Sequence, residues 1–275
     1  MTGRRCAVLG SPIEHSLSPV LHRAAYRELG LDWSYDAVQL TERALEEFLD
    51  GLDHSWRGLS LTMPLKRAVV PLLDDVSETV SLAGAANTVL LDAGRRSGDN
   101  TDVPGAVSAL RERWDGAVTS AVVLGGGATA AAVGLALAGL GCRSLTIAVR
   151  DPARAARTVE ALARHDTPPE VDVVRLGADL SAGDLLVSTI PASAQDDQAQ
   201  RLAAAASVVF DVVYDPWPTP VAQAASRAGR VLVSGLDLLV HQAARQVELM
   251  TGVPAAPLAA MRAAGEAALA RRAMS

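Results

Sequence analysis

Leu124-Gly125-Gly126-Gly127-Ala128-Thr129-Ala130 is the stretch on which the fold turns. It lies within Gly116 to Cys142, 27 residues without a charge, more than the roughly 20 apolar residues that cross a bilayer. Three adjacent glycines would break a spanning helix at its middle. The segment therefore divides into a buried strand from Ala117 to Leu124, a glycine turn, and a small-residue helix from Thr129 to Leu140. Gly125, Gly127 and Ala130 have the form G-x-G-x-x-G/A. Gly125 permits the tight turn, Gly127 lets the backbone approach a pyrophosphate, and Ala130 allows close helix packing. Backbone N–H groups at the helix start would then hold phosphates. Glycine-rich turns also join strands to helices for packing alone, but the strand before, the helix after and a further strand ending at Val149 favour a nucleotide site.

Outward from this turn the alternation is regular. Strands are expected at Leu145 to Val149, Val171 to Leu176, Leu185 to Ser188, Val208 to Val212 and Val231 to Val233. Helices at Ala153 to Arg164, Gln195 to Ala205 and Val221 to Arg227 fall between most of them, the signature of a doubly wound parallel sheet. Toward the start, strands are expected at Cys6 to Leu9, Tyr35 to Leu40 and Gly58 to Leu61. Helices run from Pro19 to Leu29 up to Gly30, from Glu42 to Leu52 behind an N-cap at Thr41, and from Lys66 to Leu73. This is a separate α/β domain. The tail is helical from Leu238 to Met250 and from Leu258 to Arg272, split by Gly252 and Pro254. The change in pattern puts a domain boundary near residues 103 to 116.

The 275 residues and 49% hydrophobic content suffice for two modest cores. A net charge of -6 without a basic block argues against nucleic acid, no basic amphipathic helix suggests a membrane surface, and small molecules are the expected partners. Cys6 and Cys142 form neither a disulfide framework nor a metal spacing, the five histidines do not cluster, and the run from Met1 to Pro12 is too short for a signal peptide. A reducing cytoplasm is the expected setting. Among 25 basic residues there is one lysine, Lys66, and the chain has two asparagines, Asn87 and Asn100. Arginine keeps its charge at any accessible pH, whereas a flanked or desolvated lysine can give up its proton.

Those rare residues fall in polar company: Ser60-Leu61-Thr62-Met63-Pro64-Leu65-Lys66, Gly84-Ala85-Ala86-Asn87-Thr88, and Gly98-Asp99-Asn100-Thr101-Asp102. Ser16-Leu17-Ser18-Pro19 adds two hydroxyls that share one side if the backbone is extended. Each has a plainer reading, with Ser18 as a helix cap and Asp99 to Asp102 as a turn. Together they supply hydroxyl, amide, ammonium and carboxylate groups suited to a small polyol acid. At the end of the second strand, Val149-Arg150-Asp151-Pro152-Ala153-Arg154 offers arginines to the 2′-phosphate of NADP. Asp151 would repel that phosphate unless it caps the next helix, with Pro152 in the first helical position.

The order and spacing of these stretches, with Ser188-Thr189-Ile190-Pro191, Asp211 to Pro216, Ser234-Gly235-Leu236 and Gln242, resemble the NADP-dependent shikimate dehydrogenase family over essentially the whole chain. The resemblance implies an N-terminal α/β substrate domain, residues 1–102 completed by helices in 236–275, and a Rossmann-like dinucleotide domain, residues 103–235. It implies a catalytic pair, Lys66 and Asp102, with Ser16, Ser18, Thr62, Asn87, Tyr214 and Gln242 around the substrate. Gly125, Gly126, Gly127, Ala128, Thr129, Arg150, Arg154, Val212 and Gly235 would line NADP, with Glu78 as an additional contact. The implied protein needs no metal and acts as a monomer or homodimer. This chain has Ser60 and Val149 where the family commonly has Asn, and Asp151 where it has Thr.

Rival readings stay open on the sequence. An NAD-dependent quinate/shikimate dehydrogenase or related reductase is kept open by Asp151 and opposed by Ser18, where quinate-using relatives often have Thr. A methylene-tetrahydrofolate dehydrogenase shares a lysine and a two-domain plan but does not suit the paired serines. A catalytically idle nucleotide sensor is opposed by Lys66 and Asp102.

Overall fold

In a computed structural model, which describes residues 3–274, the uncharged stretch resolves as strand, turn and helix. Met1, Thr2 and Ser275, at the outer ends of the first and last segments assigned from the sequence, lie outside the described residues. No helix among the described residues is long and apolar enough to cross a membrane. Two compact units emerge: unit 1 comprises residues 1–101 and 239–275, and unit 2 comprises residues 102–238.

Unit 1 begins with β1 (Arg5–Gly10), α1 (Ser18–Glu28), β2 (Ser34–Gln39), α2 (Leu45–Asp50), β3 (Trp56–Leu61) and α3 (Leu65–Ala68). It continues through β4 (Asp75–Val76), α4 (Glu78–Ala83), β5 (Thr88–Asp92) and β6 (Arg95–Asp99). The sheet order is β2-β1-β3-β5-β6-β4. Its first three strands are parallel, while β5 runs antiparallel to both β3 and β6. The hairpin β5–β6 turns at Ala93 and Gly94, both at positive φ, as a type I′ turn requires. Leu59, Leu61, Leu65, Val80 and Val89 belong to the buried core of this unit.

Several local expectations are corrected. The cap of α1 is Leu17, and Ser18 is its first residue, because Pro19 suits the first turn and Ser18 N–H donates to Ser16 Oγ. Thr41 has extended backbone before a 3-10 turn at Glu42–Ala44 but makes no side-chain cap, and only Leu45–Asp50 is α-helical. The segment from Asp99 to Asp102 is no free turn: Asp99 ends β6 and Asp102 starts a helix.

Unit 2 opens with that helix, α5 (Asp102–Arg113), followed by β7 (Ser120–Leu124), α6 (Ala128–Gly139), β8 (Ser144–Val149), α7 (Ala156–Ala163) and β9 (Glu170–Arg175). Then come β10 (Leu185–Ser188), α8 (Asp197–Ala205), β11 (Val208–Asp211), α9 (Pro220–Arg227) and β12 (Val231–Val233). All six strands are parallel in the order β9-β8-β7-β10-β11-β12. That is the doubly wound order, reversing between β7 and β10, where such sheets bind ligands beyond their carboxyl ends. Val122, Leu124, Leu186 and Val209 in its core are almost fully buried, as strands covered on both faces must be. The chain then runs through α10 (Gly235–Thr251) to α11 (Leu258–Ala273), which packs along α1.

Candidate active site

One end of the unit 1 sheet gathers the polar stretches. Parallel β1, β3 and β6 all finish there, and antiparallel β5 starts there. The Thr62–Lys66 loop is tied down by Thr62 N–H to the Leu9 carbonyl and by Ser11 N–H to the Met63 carbonyl, each at 2.9 Å. A side chain at Gly10 would overlap the Thr62 methyl, so glycine lets the loop close over β1. The backbone carbonyl of Lys66, a half-buried residue on α3, accepts from Ala86 N–H at 2.7 Å, which brings α3 against the residue preceding Asn87. Leu61 N–H reaches the Asn87 carbonyl at 2.7 Å and Asn87 N–H reaches Asp99 at 3.1 Å. Half-buried Ser16 and buried Ser18 follow β1.

Asn87 is fully buried and held at both ends of its amide. Its Nδ2 donates to Gln242 Oε1 at 3.2 Å and to Thr101 Oγ1 at 3.0 Å, while Oδ1 accepts from Thr101 N–H and the Thr88 hydroxyl at 2.8 Å. Thus Asn87 and Gln242, 155 residues apart, meet directly. Asn100 donates to the Ala85 carbonyl at 2.8 Å. Asp102, buried, follows Thr101 in the chain as the first residue of α5. Exposed Glu78, first in α4, belongs to unit 1, unlike the rest of the expected cofactor set.

In unit 2 the glycine turn follows β7. Gly125 has φ +109 and a side chain there would overlap Thr189 Oγ1. At Gly126 a Cβ would crowd Val149 and Ala155 at 3.0 and 3.1 Å, whereas at Gly127 it would meet nothing within 4 Å. No side chain caps α6 at Gly127, so this open approach to a helix N-terminus fits a pyrophosphate. The Thr158 hydroxyl donates to the Gly126 carbonyl at 2.9 Å and fixes the turn from behind. Ala128 and Thr129 form the first turn of α6 and Ala130 is buried, as the packing role requires. Val212 and Gly235 come together: a Cβ at Gly235 would overlap the Val212 carbonyl. Tyr214 lies half-buried in the loop after β11.

Arg150 and Arg154 are exposed beyond β8. Between them Asp151 accepts from Ala153 N–H at 3.1 Å, with Pro152 in the first position of a 3-10 turn. Its carboxylate is thus a cap.

Sequence reasoning missed two buried clusters. In unit 2, Asp211 Oδ2 takes Thr219 Oγ1 at 2.5 Å and Gln195 Nε2 at 3.0 Å, and burial pushes the Asp211 carboxyl above the usual carboxylate range. In unit 1, Gln246 joins Ser60, His22, Thr88 and Asn87. The signal for the latter was present: Gln242 and Gln246 stand four apart on one otherwise apolar helix face.

The family model described as the shikimate dehydrogenase substrate binding domain matches residues 8–89, and that of the shikimate 5′-dehydrogenase C-terminal domain matches residues 235–264. The NADP(+) shikimate dehydrogenase of Methanopyrus kandleri is 37% identical over 94% of this chain and 93% of its own length. The shikimate dehydrogenase structure from Mycobacterium tuberculosis superposes with a TM-score of 0.87 at 41% identity, covering 96% of this chain and 99% of that one. The Thermus thermophilus enzyme in complex with NADP(H) and shikimate does so with a TM-score of 0.84 at 32% identity, over 97% of this chain and 100% of that one. On this likeness along nearly its full length, the chain belongs to the shikimate dehydrogenase family.

Proposed function

We propose that the chain catalyses the reversible NADPH-dependent reduction of 3-dehydroshikimate to shikimate, a step of aromatic amino-acid biosynthesis. The observation that carries this reading is the convergence of the Thr62–Lys66 loop, Asn87 and Gln242 at one sheet end in a chain of this family. Residues 1–102 with 236–275 form the substrate-binding and catalytic domain, and 103–235 the NADP-binding domain. NADPH, when bound, would supply the hydride to the ketone carbon. The Lys66 ammonium steadies the ketone oxygen as charge develops there and, with Asp102, gives or relays its proton. Positioned transfer of this kind is worth roughly 10²- to 10⁴-fold, and coupled groups hold the proton as a pair. Ser16 and Ser18 meet the substrate carboxylate; Thr62, Asn87, Tyr214 and Gln242 complete its surroundings.

Gly125 to Thr129, Val212 and Gly235 line the cofactor, with Glu78 as a further contact, and Arg150 and Arg154 take the 2′-phosphate. An NAD site would use a carboxylate near Asp151 for the ribose hydroxyls, and the engagement of Asp151 as a cap supports NADP instead. We assign the enzyme to the cytoplasm as a monomer or homodimer; the buried, unlinked thiols of Cys6 and Cys142 support a reducing compartment. The test is an absorbance assay of NADP and NAD, each with shikimate and quinate. Shikimate with NADP should give the highest kcat/KM. Faster turnover of quinate with NAD would overturn the reading.

A further inference from the structure

The hydrogen bonds around Asn87 run in one direction through unit 1, and that direction is set well away from Asn87 itself. The Tyr35 hydroxyl donates to Ser60 Oγ at 2.6 Å, and Ser60 donates onward to Gln246 Oε1 at 2.8 Å. His22 Nε2 lies 3.3 Å from the same oxygen. An amide oxygen only accepts, so the His22 proton sits on Nε2, in keeping with Nδ1 having no hydrogen-bond partner among the described residues. Burial pushes the His22 imidazole down to about 3 and keeps it neutral.

With its oxygen held, the Gln246 amide turns its NH2 the other way. There Nε2 donates to the Asn87 carbonyl at 3.0 Å and to Thr88 Oγ1 at 2.9 Å. Thr88, accepting from Gln246, sends its one proton to Asn87 Oδ1 at 2.8 Å, beside the Thr101 N–H at 2.8 Å. A flipped Asn87 amide would set its NH2 against the Thr101 N–H, which can only donate, take the acceptor from the Thr88 proton, and set its oxygen against Gln242 Oε1. We propose that Gln246 and Thr88 are positioning residues that lock the Asn87 amide, and through it Gln242, in the one orientation that receives the substrate. The proposal rests on the reading that Asn87 and Gln242 bind that substrate. All the members are nearly or fully buried, so water cannot replace a missing link.

The composition provides the test. Asn87 and Asn100 are the only asparagines, so protein carrying ¹⁵N in its asparagine side-chain amides shows two NH2 pairs, with Asn100 as the internal reference. Gln246→Leu and the near-isosteric Thr88→Val should each speed hydrogen exchange of the Asn87 pair about tenfold or more, leave the Asn100 pair unchanged, and raise KM for shikimate about tenfold without changing KM for NADP, on the scale of losing one buried hydrogen bond. Thr88→Ser, which keeps the hydroxyl, should restore both readouts. A general loosening would instead move both NH2 pairs and both KM values, and that result overturns the proposal, as does an unchanged Asn87 pair in folded Thr88→Val. Should Gln246→Leu not fold, the two Thr88 variants decide alone. Failure of the unsubstituted protein to oxidise shikimate would refute the reading of function, while the exchange rates would still decide the positioning role.

Discussion

Lys66 is one lysine against 24 arginines, and it stands on the loop that Gly10 and Leu9 anchor to the sheet. Lys66→Arg keeps the charge but removes the group that can release a proton at accessible pH. In that variant kcat should fall about 10²-fold or more, with the urea midpoint and KM for NADP unchanged; a near-normal rate would sink the proton-transfer role. Asp151 allows the opposite kind of expectation. Since its carboxylate caps a turn, Asp151→Ala should cost about 1 kcal/mol of stability and leave the preference for NADP over NAD within about twofold, whereas Arg150→Ala should erode that preference. Comparing kcat/KM for the two cofactors in both variants separates cap from ligand. The cap was legible in the sequence because a residue before proline favours the extended backbone an N-cap needs and proline suits the first helical position. Gln246 was not: its meaning lies in partners as far as 224 residues away.

Among the elements, the parallel strands of unit 2 were the most legible. Leu185–Ser188 and Val231–Val233 lie where the sequence predicts them, since strands buried on both faces read as unbroken apolar runs between turn residues. The hairpin β5–β6 was hidden because Arg95, Arg96 and Ser97 show no apolar alternation and Ala93 occupies a position usually taken by Asn, Asp or Gly. Helix α5 was hidden behind Pro104 and Gly105, although a proline in the first turn does no harm. At the start of α10 the backbone itself makes a demand. Gly235→Ala would press a methyl into the Val212 carbonyl, at a cost of about 1–3 kcal/mol. Denaturant unfolding should show that loss, and fluorescence titration should show weaker NADP binding; normal affinity would mean that Val212 and Gly235 do not line the cofactor.

For the whole molecule, acid is the clearest weakness. His22 is buried and neutral, stacked on Tyr35 at 3.9 Å, and its imidazole is pushed from 6.5 down to about 3 by burial. The unfolded chain therefore binds the proton first. Its contribution to stability is fully present above about pH 6.5 and is lost on acidification toward pH 3, at about 1.4 kcal/mol per pH unit. His22→Gln should flatten the fall of the urea midpoint over that window relative to the unsubstituted protein, and parallel pH profiles would refute the assignment. The division into two units carries a different consequence. Unit 1 is written in two pieces with all of unit 2 between them, and the Gln246–Asn87 bond joins residues 159 positions apart. A ribosome adding about 5–20 residues per second therefore leaves the Asn87 carbonyl without its Gln246 partner for about 8 to 32 s, while unit 2, an unbroken stretch, emerges in full. A nascent chain therefore completes unit 2 while unit 1 still waits for its second piece, and the exposed apolar surface of that interval belongs to the first piece of unit 1.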